Sequence, residues 1–256
     1  MEVMRNILSI FCYPPEKTQK VFKRDLPNDQ EIMRQFTDEF HEFKNILSKK
    51  KIVDFGSGFG HQAIAFHKVF KSTVLGLEIE KHKIDHSIKK RDEEGIDNKD
   101  VYFRSSPIGS DYQSYDLVIS LNSFEHFSDP ELIIKEMIKL LNKEGQILIS
   151  FGPPWFSPHG SHMNYFCRLP WVQLFFSENT IMKVRQQYRD DGALYFKDVP
   201  GGLNQMSISK FERILKKSGL KISFKKYVGV KKLQFLTKIP LIRELFINQV
   251  TIIANK

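Results

Sequence analysis

Short unbroken runs of apolar residues alternate along this chain with longer stretches in which apolar residues recur every three or four positions. Unbroken runs are typical of strands buried on both faces, whereas the second spacing is typical of helices with one apolar face. The alternation therefore predicts an α/β fold in which helices cover both faces of a mostly parallel sheet. The runs predict five consecutive strands, at 52–53, 74–77, 101–103, 117–119 and 146–149.

The helices are predicted by apolar stripes and by the residues that begin or end them. Ile32, Phe36, Phe40, Phe43 and Leu47 form one stripe, which predicts a helix over 29–48. Three further helices are predicted: one at 81–93 that ends at Gly95, one from Asp129-Pro130 to about Leu141, and one that begins with a capping box at Ser209-x-x-Glu212.

The regular alternation stops at residues 152–206, a stretch too long for a plain connection. This stretch contains both tryptophans and predicts a lid-like insertion, whose aromatic residues either line an apolar pocket or pack the insertion onto the domain. Two final strands are predicted, at 221–227 and 247–254. The predicted organisation is a helical cap over 1–48 followed by one domain over 49–256. The aromatic residues in question are Trp155, Phe156, Tyr165, Phe166, Trp171, Phe175 and Phe176.

The composition is that of a globular protein, with 41% hydrophobic and 27% charged residues among 256. No apolar run approaches the roughly 18 residues that cross a membrane. The apolar patch at 7–13 is brief for a signal peptide, so we expect a cytoplasmic protein. The two cysteines, Cys12 and Cys167, stand outside any metal-ligand spacing, so we expect free thiols and no metal site.

The formal net charge of +9 is compatible with contacts to nucleic acid, anionic lipid or an acidic substrate. We favour the interpretation that lysines spread over helix faces simply solvate the surface. One segment, 231–246, mixes apolar residues with Lys231, Lys232, Lys238 and Arg243. It predicts a helix packed on the sheet before the last strand, with a membrane-facing segment as the alternative.

A glycine-rich loop, Asp54-Phe55-Gly56-Ser57-Gly58-Phe59-Gly60, follows the first predicted strand and opens a helix. Glycines allow a tight turn and close approach of a ligand, and this loop lies at the carboxyl edge of the sheet, where α/β folds bind ligands. A dinucleotide-binding fingerprint would require glycine at His61. Glu78, at the end of the second strand, offers two acceptor oxygens to the hydroxyls of a ribose, with Glu80 as its rival.

The pattern acidic-x-Gly-x-Gly-x-Gly, with an acid after strand two, resembles the class I, Rossmann-like S-adenosylmethionine (SAM)-dependent methyltransferases. The resemblance covers residues 50–152 and implies an α/β/α sandwich with a seven-stranded, mostly parallel sheet and an antiparallel last strand. It also implies that SAM binds at the glycine loop and leaves as S-adenosylhomocysteine (SAH), and that Asp54 lies near the amino group. Where the family often has an acid after strand three, this chain has Arg104-Ser105-Ser106-Pro107. The implied cofactor-binding residues are Asp54, Gly56, Ser57, Gly58, Gly60, Glu78, Ser106 and Asn122.

The end of the fourth strand reads Leu121-Asn122-Ser123-Phe124-Glu125-His126-Phe127 and resembles the small-molecule branch of that family, including quinone-biosynthesis methyltransferases. An oxygen nucleophile benefits from losing its proton, and histidine titrates near neutral pH, so His126 is the first candidate for a general base. His159 and His162, in the insertion, are further candidate catalytic residues. For all three, a structural role is the alternative: capping or packing for His126, and a surface loop for the other two.

The resemblance implies methyl transfer, and we expect the acceptor atom to be oxygen or nitrogen in a small metabolite, a sugar or a lipid-like molecule. One alternative, motivated by the positive charge, is a methyltransferase that acts on RNA or protein. Another is a non-catalytic SAM-binding protein. An enclosed pocket supports the small-molecule interpretation, whereas an open basic groove supports the macromolecular one. The oligomeric state does not follow from the sequence.

Overall fold

A central seven-stranded sheet organises the computed structural model, which describes residues 2–15, 28–40 and 46–256. The strands are β1 Lys51–Phe55, β2 Thr73–Leu77, β3 Val101–Arg104, β4 Tyr115–Leu121, β5 Leu141–Phe151, β6 Lys221–Gly229 and β7 Ile247–Asn255. Their order across the sheet is β3-β2-β1-β4-β5-β7-β6. Neighbouring strands from β3 to β5 are parallel, and β7 is antiparallel to both β5 and β6. The predicted sheet with an antiparallel last strand is confirmed.

The strand order reverses between β1 and β4, which lie side by side at the centre of the sheet. Asp54 of β1 stands opposite Gly76 of β2 on one side and Ile119 of β4 on the other. Such a reversal opens a crevice outside the carboxyl ends of the strands, because the connections on its two sides run in opposite directions. The glycine loop therefore begins at the one edge of the sheet where a ligand has room.

Helices cover both faces of the sheet. The α-helices of the described residues, including those of the insertion, are α1 Glu2–Ile10, α2 Asp29–Glu39, α3 His61–Phe70, α4 Lys81–Glu93, α5 Pro130–Leu140, α6 Val172–Phe175, α7 Glu178–Arg185, α8 Ile208–Ser218 and α9 Arg243–Phe246. On one face, Phe36 of α2 and Phe66 of α3 pack edge to face with ring centroids 5.3 Å apart. On the other face, α5 and α8 bury Met137 and Phe211. The three-layer prediction is confirmed.

The predicted helix ends are confirmed for α4 and α5 and are wrong for α8. At α5, the Asp129 side chain accepts a hydrogen bond from the Leu132 N–H at 3.0 Å. The cap of α8 is Ser207, which accepts from the Lys210 N–H, and not Ser209. Ser209 and Glu212 are both engaged elsewhere, because Ser209 bonds to Glu244 and Glu212 accepts from the Tyr227 hydroxyl.

The predicted helix over 29–48 is observed as the shorter α2, which ends at Glu39. Phe36 and Phe40 are stacked with centroids 5.1 Å apart and are fully buried, as the apolar stripe requires. Phe43 lies outside the described residues. Leu47 is buried just before β1.

The insertion at 152–206 has a hydrophobic core of its own, and α1 belongs to it. Leu8 of α1 packs there with Phe166 and Ile181. An isolated antiparallel β-bridge joins Cys12 to Cys167, both of which are buried free thiols. The two described N-terminal helices thus pack in different places: α1 packs against the insertion, and α2 packs against the sheet and α3.

The segment before β7 is not the single helix packed on the sheet that we predicted at 231–246. The chain forms a short 3₁₀ helix, Gln234–Lys238, and then α9, and neither contains a buried residue. Leu241 is 97% exposed. Among the described residues, no helix combines the length and the apolar character needed to cross a membrane.

Candidate active site

Three glycines with positive φ shape the loop after β1: Gly56 (+82°), Gly58 (+53°) and Gly60 (+75°). A Cβ at Gly56 would lie 2.8 Å from the Cβ of Ser123, and a Cβ at Gly60 would lie 2.6 Å from that of Ser87. A Cβ at Gly58 would meet no atom within 4 Å. Two of the glycines therefore allow tight packing, whereas the backbone of Gly58 borders open space that a ligand can occupy.

Glu78 closes one side of this loop. Its Oε2 accepts a hydrogen bond from the Gly58 N–H at 3.0 Å, and its Oε1 accepts one from the Glu80 N–H at 3.0 Å. The carboxylate of Glu80 is turned away and pairs with Lys83 on α4. Because each carboxylate oxygen has a second lone pair, Glu78 retains acceptor capacity toward a bound molecule. The structure thus favours Glu78 over its rival Glu80.

Asp54 is a buried acid beneath the loop, only 2% exposed. Its Oδ1 accepts a hydrogen bond from the Gln62 side chain at 2.9 Å, and its Oδ2 has no hydrogen-bond partner in the part of the chain that the structure describes. Burial raises the pKa of Asp54 to about 7, with a further contribution from the charge of Glu78, and the Gln62 hydrogen bond opposes the shift. A positively charged group placed at Oδ2 would relieve this cost.

The end of β4 connects the glycine loop to the histidines. The Ser123 hydroxyl donates to the Gly56 carbonyl at 3.1 Å, and the His126 N–H donates to the Ser123 carbonyl at 2.9 Å. Asn122 is exposed, and its Oδ1 accepts from Gln249 on β7 at 3.3 Å. The side chain that contacts the glycine loop from this strand end is thus Ser123, and cofactor binding by Asn122 stays a prediction.

The loop after β3 is fixed by a buried ion pair. Arg104 donates to Asp111 at 2.7 Å, and the same carboxylate accepts from the Tyr115 hydroxyl at 2.9 Å. Ser106 lies exposed in this loop. The apolar side chain of Ile79, directly after Glu78, is 86% exposed near the same edge of the sheet. Sequence reasoning missed Ile79, although its position beside the predicted ribose acid was a signal.

The structure brings His126 and His162 together, with ring centroids 5.5 Å apart and planes at 90°. His126 Nδ1 donates to the Gly202 carbonyl at 2.6 Å, because a carbonyl oxygen can only accept. The neutral ring therefore keeps Nε2 as its acceptor. Burial, with a smaller contribution from His126, lowers the pKa of His162 to about 4, so this ring stays neutral. His159 is exposed and does not join the pair.

Residues far apart in sequence hold His126 in place. The Asn204 side chain donates to the carbonyls of Phe124 at 2.9 Å and Phe127 at 2.8 Å, and its N–H donates to the Glu125 carbonyl at 2.9 Å. Glu125 is buried, and its Oε1 accepts from the Gly152 N–H at 3.3 Å. Both ends of the insertion are thus bonded to the turn that carries His126. No sequence signal pointed to Asn204.

A cavity of about 620 Å³ opens between His126 and the insertion. Eight of its thirteen lining residues are polar or charged, and of the seven aromatic residues only Tyr165 lines it, so of the two predicted roles the lining role applies to Tyr165. Phe166 and Phe176 are buried in the core of the insertion, and Phe175 is 63% exposed. The lining residues are His126, Ser161, His162, Met163, Tyr165, Arg185, Arg189, Asp190, Asp191, Val199, Pro200, Gly202 and Leu203.

Comparison with known proteins identifies the fold and one domain of the chain. Residues 46–153 match the model of a methyltransferase domain. A mitochondrial ubiquinone biosynthesis O-methyltransferase from Dictyostelium discoideum is 30% identical over 114 residues, which are 41% of this chain and 36% of that protein. The chain matches between 36% and 44% of the length of its curated relatives. Residues 46–153 are thus a methyltransferase domain similar to those of the class I SAM-dependent methyltransferases.

Solved structures of this methyltransferase fold superpose over most of the chain. Geranyl diphosphate C-methyltransferase from Streptomyces coelicolor A3(2) has a TM-score of 0.56 at 15% identity and covers 87% of this chain and 74% of its own. The cyclase SpnF has a TM-score of 0.57 at 12% identity and covers 91% and 84%. At such identities the likeness establishes the Rossmann-like methyltransferase fold alone.

The residues of this methyltransferase domain fit SAM, the predicted cofactor of its family. The buried Asp54 Oδ2 and the Ser57 hydroxyl both lack a hydrogen-bond partner within the described ranges. Buried polar atoms of this kind are usually completed by a ligand or an ordered water. The open space beside Gly58 adjoins them. Within the same ranges, no group of three His, Cys, Asp or Glu residues is arranged to hold a metal ion.

Proposed function

We propose that this protein is an enzyme that transfers the methyl group of SAM to an oxygen or nitrogen atom of a small acceptor. The observation that carries the proposal is the cavity of about 620 Å³ lined by His126. Cavities of about 300–1,000 Å³ suit single small molecules. Two hydrogen bonds, from Ser123 to Gly56 and from His126 to Ser123, connect this cavity wall to the glycine loop. The turn after β4 therefore connects the proposed SAM site to the proposed acceptor cavity.

Five residues of the glycine-loop edge are assigned to the cofactor. Glu78 accepts from the ribose hydroxyls, and the main chain at Gly58 approaches the methionine part, because a side chain there would occupy the same space. Asp54 binds the amino group through Oδ2, which is left without a partner in the described protein. Ile79 offers an apolar surface to the adenine, and Ser106 offers the adenine a hydrogen-bonding group. SAM supplies the methyl carbon when bound.

His126 is the general base of the proposed reaction. Its Nδ1–H is held by the Gly202 carbonyl at 2.6 Å, which fixes the tautomer that presents Nε2 as a proton acceptor. The proton of the acceptor O–H or N–H passes to Nε2 as the nucleophile attacks. His162 stays uncharged beside it and limits the movement of the imidazole. His159 is exposed and takes no part in this scheme.

The insertion at 152–206, together with α1, forms the lid over the acceptor. Their shared core joins Leu8 of α1 to Phe166 and Ile181, so the lid is a packed unit and not a loose loop. Asn204 and Gly152 bond its two ends to the turn before α5. A lid of this kind excludes water from the reacting atoms.

The lining of the cavity favours a polar small acceptor over a macromolecule. Arg185 and Arg189 are matched by Asp190 and Asp191, so the wall carries no net positive charge that would attract a nucleic acid backbone. Charged side chains in the wall favour a metabolite or sugar that offers hydrogen-bonding groups. The same fold is found in a protein named a cyclase, so a binding protein or an enzyme with other chemistry is the second candidate.

The proposal is tested by incubating the purified protein with methyl-labelled SAM and fractionated metabolite extracts. We expect label in a small-molecule fraction. The variant His126→Asn keeps a donor for Gly202 but has no proton acceptor, so turnover should fall by about 10²–10⁴-fold while SAH binding, measured by calorimetry, stays unchanged. His159→Asn is the matched control and should behave as wild type.

The alternatives give different results in the same experiment. Label in RNA or protein would favour the macromolecular methyltransferase. SAM binding with no labelled product, together with no effect of His126→Asn, would favour a binding protein. Failure of SAM and SAH to bind at concentrations well above micromolar would contradict the assignment of the glycine loop itself.

A further inference from the structure

The excess positive charge of this protein is confined to one stretch of its sequence. No aspartate or glutamate stands between Glu212 and Glu244, and the 31 residues between them contain ten lysines and arginines. The chain has 39 lysines and arginines, so 29 lie elsewhere, where 30 aspartates and glutamates balance them. The net charge of +9 is therefore a local property of the end of α8, of β6 and of the segment that follows it.

That following segment, residues 230–242, also exposes large apolar side chains. Leu241 is 97% exposed, Phe235 63% and Ile239 43%. Contiguous apolar surface on a soluble protein is unfavourable in water and marks a contact surface. Because the 3₁₀ helix in this segment contains no buried residue, these side chains do not serve the core of the protein.

Lysines stand among these apolar residues without acidic partners. Lys231, Lys232 and Lys238 are exposed and take part in none of the ion pairs between described residues. Three other basic residues of the stretch do have acidic partners, since Lys217 pairs with Glu131, and Lys225 and Arg243 pair with Glu212. The segment thus offers three uncompensated positive charges beside three exposed apolar side chains.

The segment is held in a defined position. The Val230 N–H donates to the Phe246 carbonyl at 2.8 Å, which closes its base, and Gln234 bonds back to Gly229. The Trp171 indole N–H donates to the Leu245 carbonyl at 3.3 Å. Phe175, four residues after Trp171, is also exposed.

We propose that residues 230–242 dock this protein on the surface of an anionic lipid membrane. Phe235, Ile239 and Leu241 enter the boundary between headgroups and acyl chains, and the three lysines contact anionic headgroups. Nucleic acid would satisfy the lysines but would leave the aliphatic side chains in water. A second copy of the chain would bring two sets of uncompensated lysines together, which is repulsive.

The proposal is tested by sedimenting the full-length protein with vesicles of phosphatidylcholine alone or of phosphatidylcholine mixed with phosphatidylserine. We expect the protein to sediment with the mixed vesicles at low salt, to bind them more weakly at high salt, and to stay in solution with the neutral ones. Equal sedimentation with both kinds of vesicle, or with neither, would overturn the proposal.

Two sets of variants separate the charged from the apolar contribution. Replacing Lys231, Lys232 and Lys238 by glutamine should weaken vesicle binding by about 100-fold, since each charge near an anionic surface contributes about fivefold. Phe235→Ser with Leu241→Ser should weaken it by at least about tenfold.

Matched controls remove equivalent groups from other parts of the protein surface. Glutamine at Lys81, Lys89 and Lys99 removes the same total charge, and Val69→Ser with Leu132→Ser removes two apolar side chains that are about half exposed. Both controls should bind vesicles as wild type does. All these side chains are exposed, so circular dichroism and thermal unfolding should show every variant folded. Equal weakening by a control would overturn the proposal.

Two other partners give distinct results. If the wild type binds RNA more tightly than vesicles, and Phe235→Ser with Leu241→Ser leaves RNA binding intact, the surface is a nucleic acid surface and the proposal fails. If sedimentation velocity shows a dimer that the same apolar variant dissociates, the partner is a second copy and the proposal fails as well.

Discussion

The glycine loop and the insertion meet at His126, yet the two regions are built in different ways. Most side-chain hydrogen bonds of the loop join residues near in sequence, since Gln62 reaches Asp54 across 8 residues and Glu78 reaches Gly58 across 20, whereas Ser123 reaches Gly56 across 67. The insertion is shaped by distant contacts, such as Gly202 with His126 across 76 residues and Tyr188 with Tyr13 across 175. The comparison teaches that the cofactor edge is specified locally, whereas the acceptor cavity is specified by the tertiary structure.

The two regions should therefore respond separately to substitution. Changes in the glycine loop should alter SAM binding, and changes in the insertion should alter the cavity while SAM binding persists. Their cores are distinct, since the insertion packs with α1 and the glycine loop packs with α4 and the sheet. Five predictions test this separation, from the largest expected effect to the smallest.

Gly60→Ala should have the largest effect and should affect the cofactor edge. Its Cβ would lie 2.6 Å from Ser87 Cβ and 2.8 Å from the ring of Phe103, at a φ of +75°. Overpacking together with the left-handed backbone should lower the free energy of unfolding by about 3 kcal/mol, measured by urea denaturation. Gly95→Ala, with φ +67° and open space around it, is the control and should cost about 1 kcal/mol. Equal losses would contradict the close packing at Gly60.

Asp191→Asn should destabilise the insertion while leaving SAH affinity unchanged. Arg185 is 4% exposed and is bonded to both carboxylate oxygens of Asp191, so the variant leaves a buried guanidinium with weakened partners. We expect a loss of about 2 kcal/mol, detected as faster hydrogen exchange across the insertion. Weaker SAH binding by the variant would show that the two regions are coupled.

The same ion pair predicts a pH dependence. Arg185 lowers the pKa of Asp191 to about 2, below the unfolded value of about 3.9. Its contribution is thus complete above about pH 4 and is lost as the pH falls toward 2. The difference in stability between wild type and Asp191→Asn should shrink over that interval.

Glu78→Gln should weaken SAH binding by about 10- to 100-fold with little change in stability. The variant loses one acceptor oxygen and the charge that strengthens hydrogen bonds from a ribose, which together contribute about 1.5–3 kcal/mol. Calorimetry measures the change. Glu80→Gln is the control, because that carboxylate faces Lys83 and not the loop. Equal effects of the two variants would return Glu80 to consideration as the ribose ligand.

The affinity for SAH should rise modestly with pH through a single group, Asp54. Its raised pKa of about 7 means that the free protein holds this carboxyl protonated below that pH, whereas the bound amino group favours the ionised form. Binding should be about five- to tenfold weaker at pH 6 than at pH 7.5. Asp54→Asn should bind weakly at both values. A wild-type affinity independent of pH would contradict the contact between Asp54 and the amino group.

The sequence by itself predicted the strands, the layers and the cofactor edge. The apolar runs identified the strands because a strand buried on both faces has no polar positions. The placement of the glycine loop and of Glu78 at one edge could be predicted from the sequence, because it depends on local φ values and on the order of two adjacent strands. The position of His126 near the glycine loop could be predicted because His126 lies one short turn after β4.

The acceptor side was decided only by the tertiary structure. Nothing local indicates that Asn204 fixes the turn around His126, that α1 packs with the insertion, or that the cavity wall is charged while Phe166 and Phe176 are buried elsewhere. The segment at 231–246 had a helical pattern but forms two short helices without a buried residue, and Phe235, Ile239 and Leu241 are exposed. Which face of an aromatic-rich segment is buried depends on what folds against it, and that information is distributed over the whole chain.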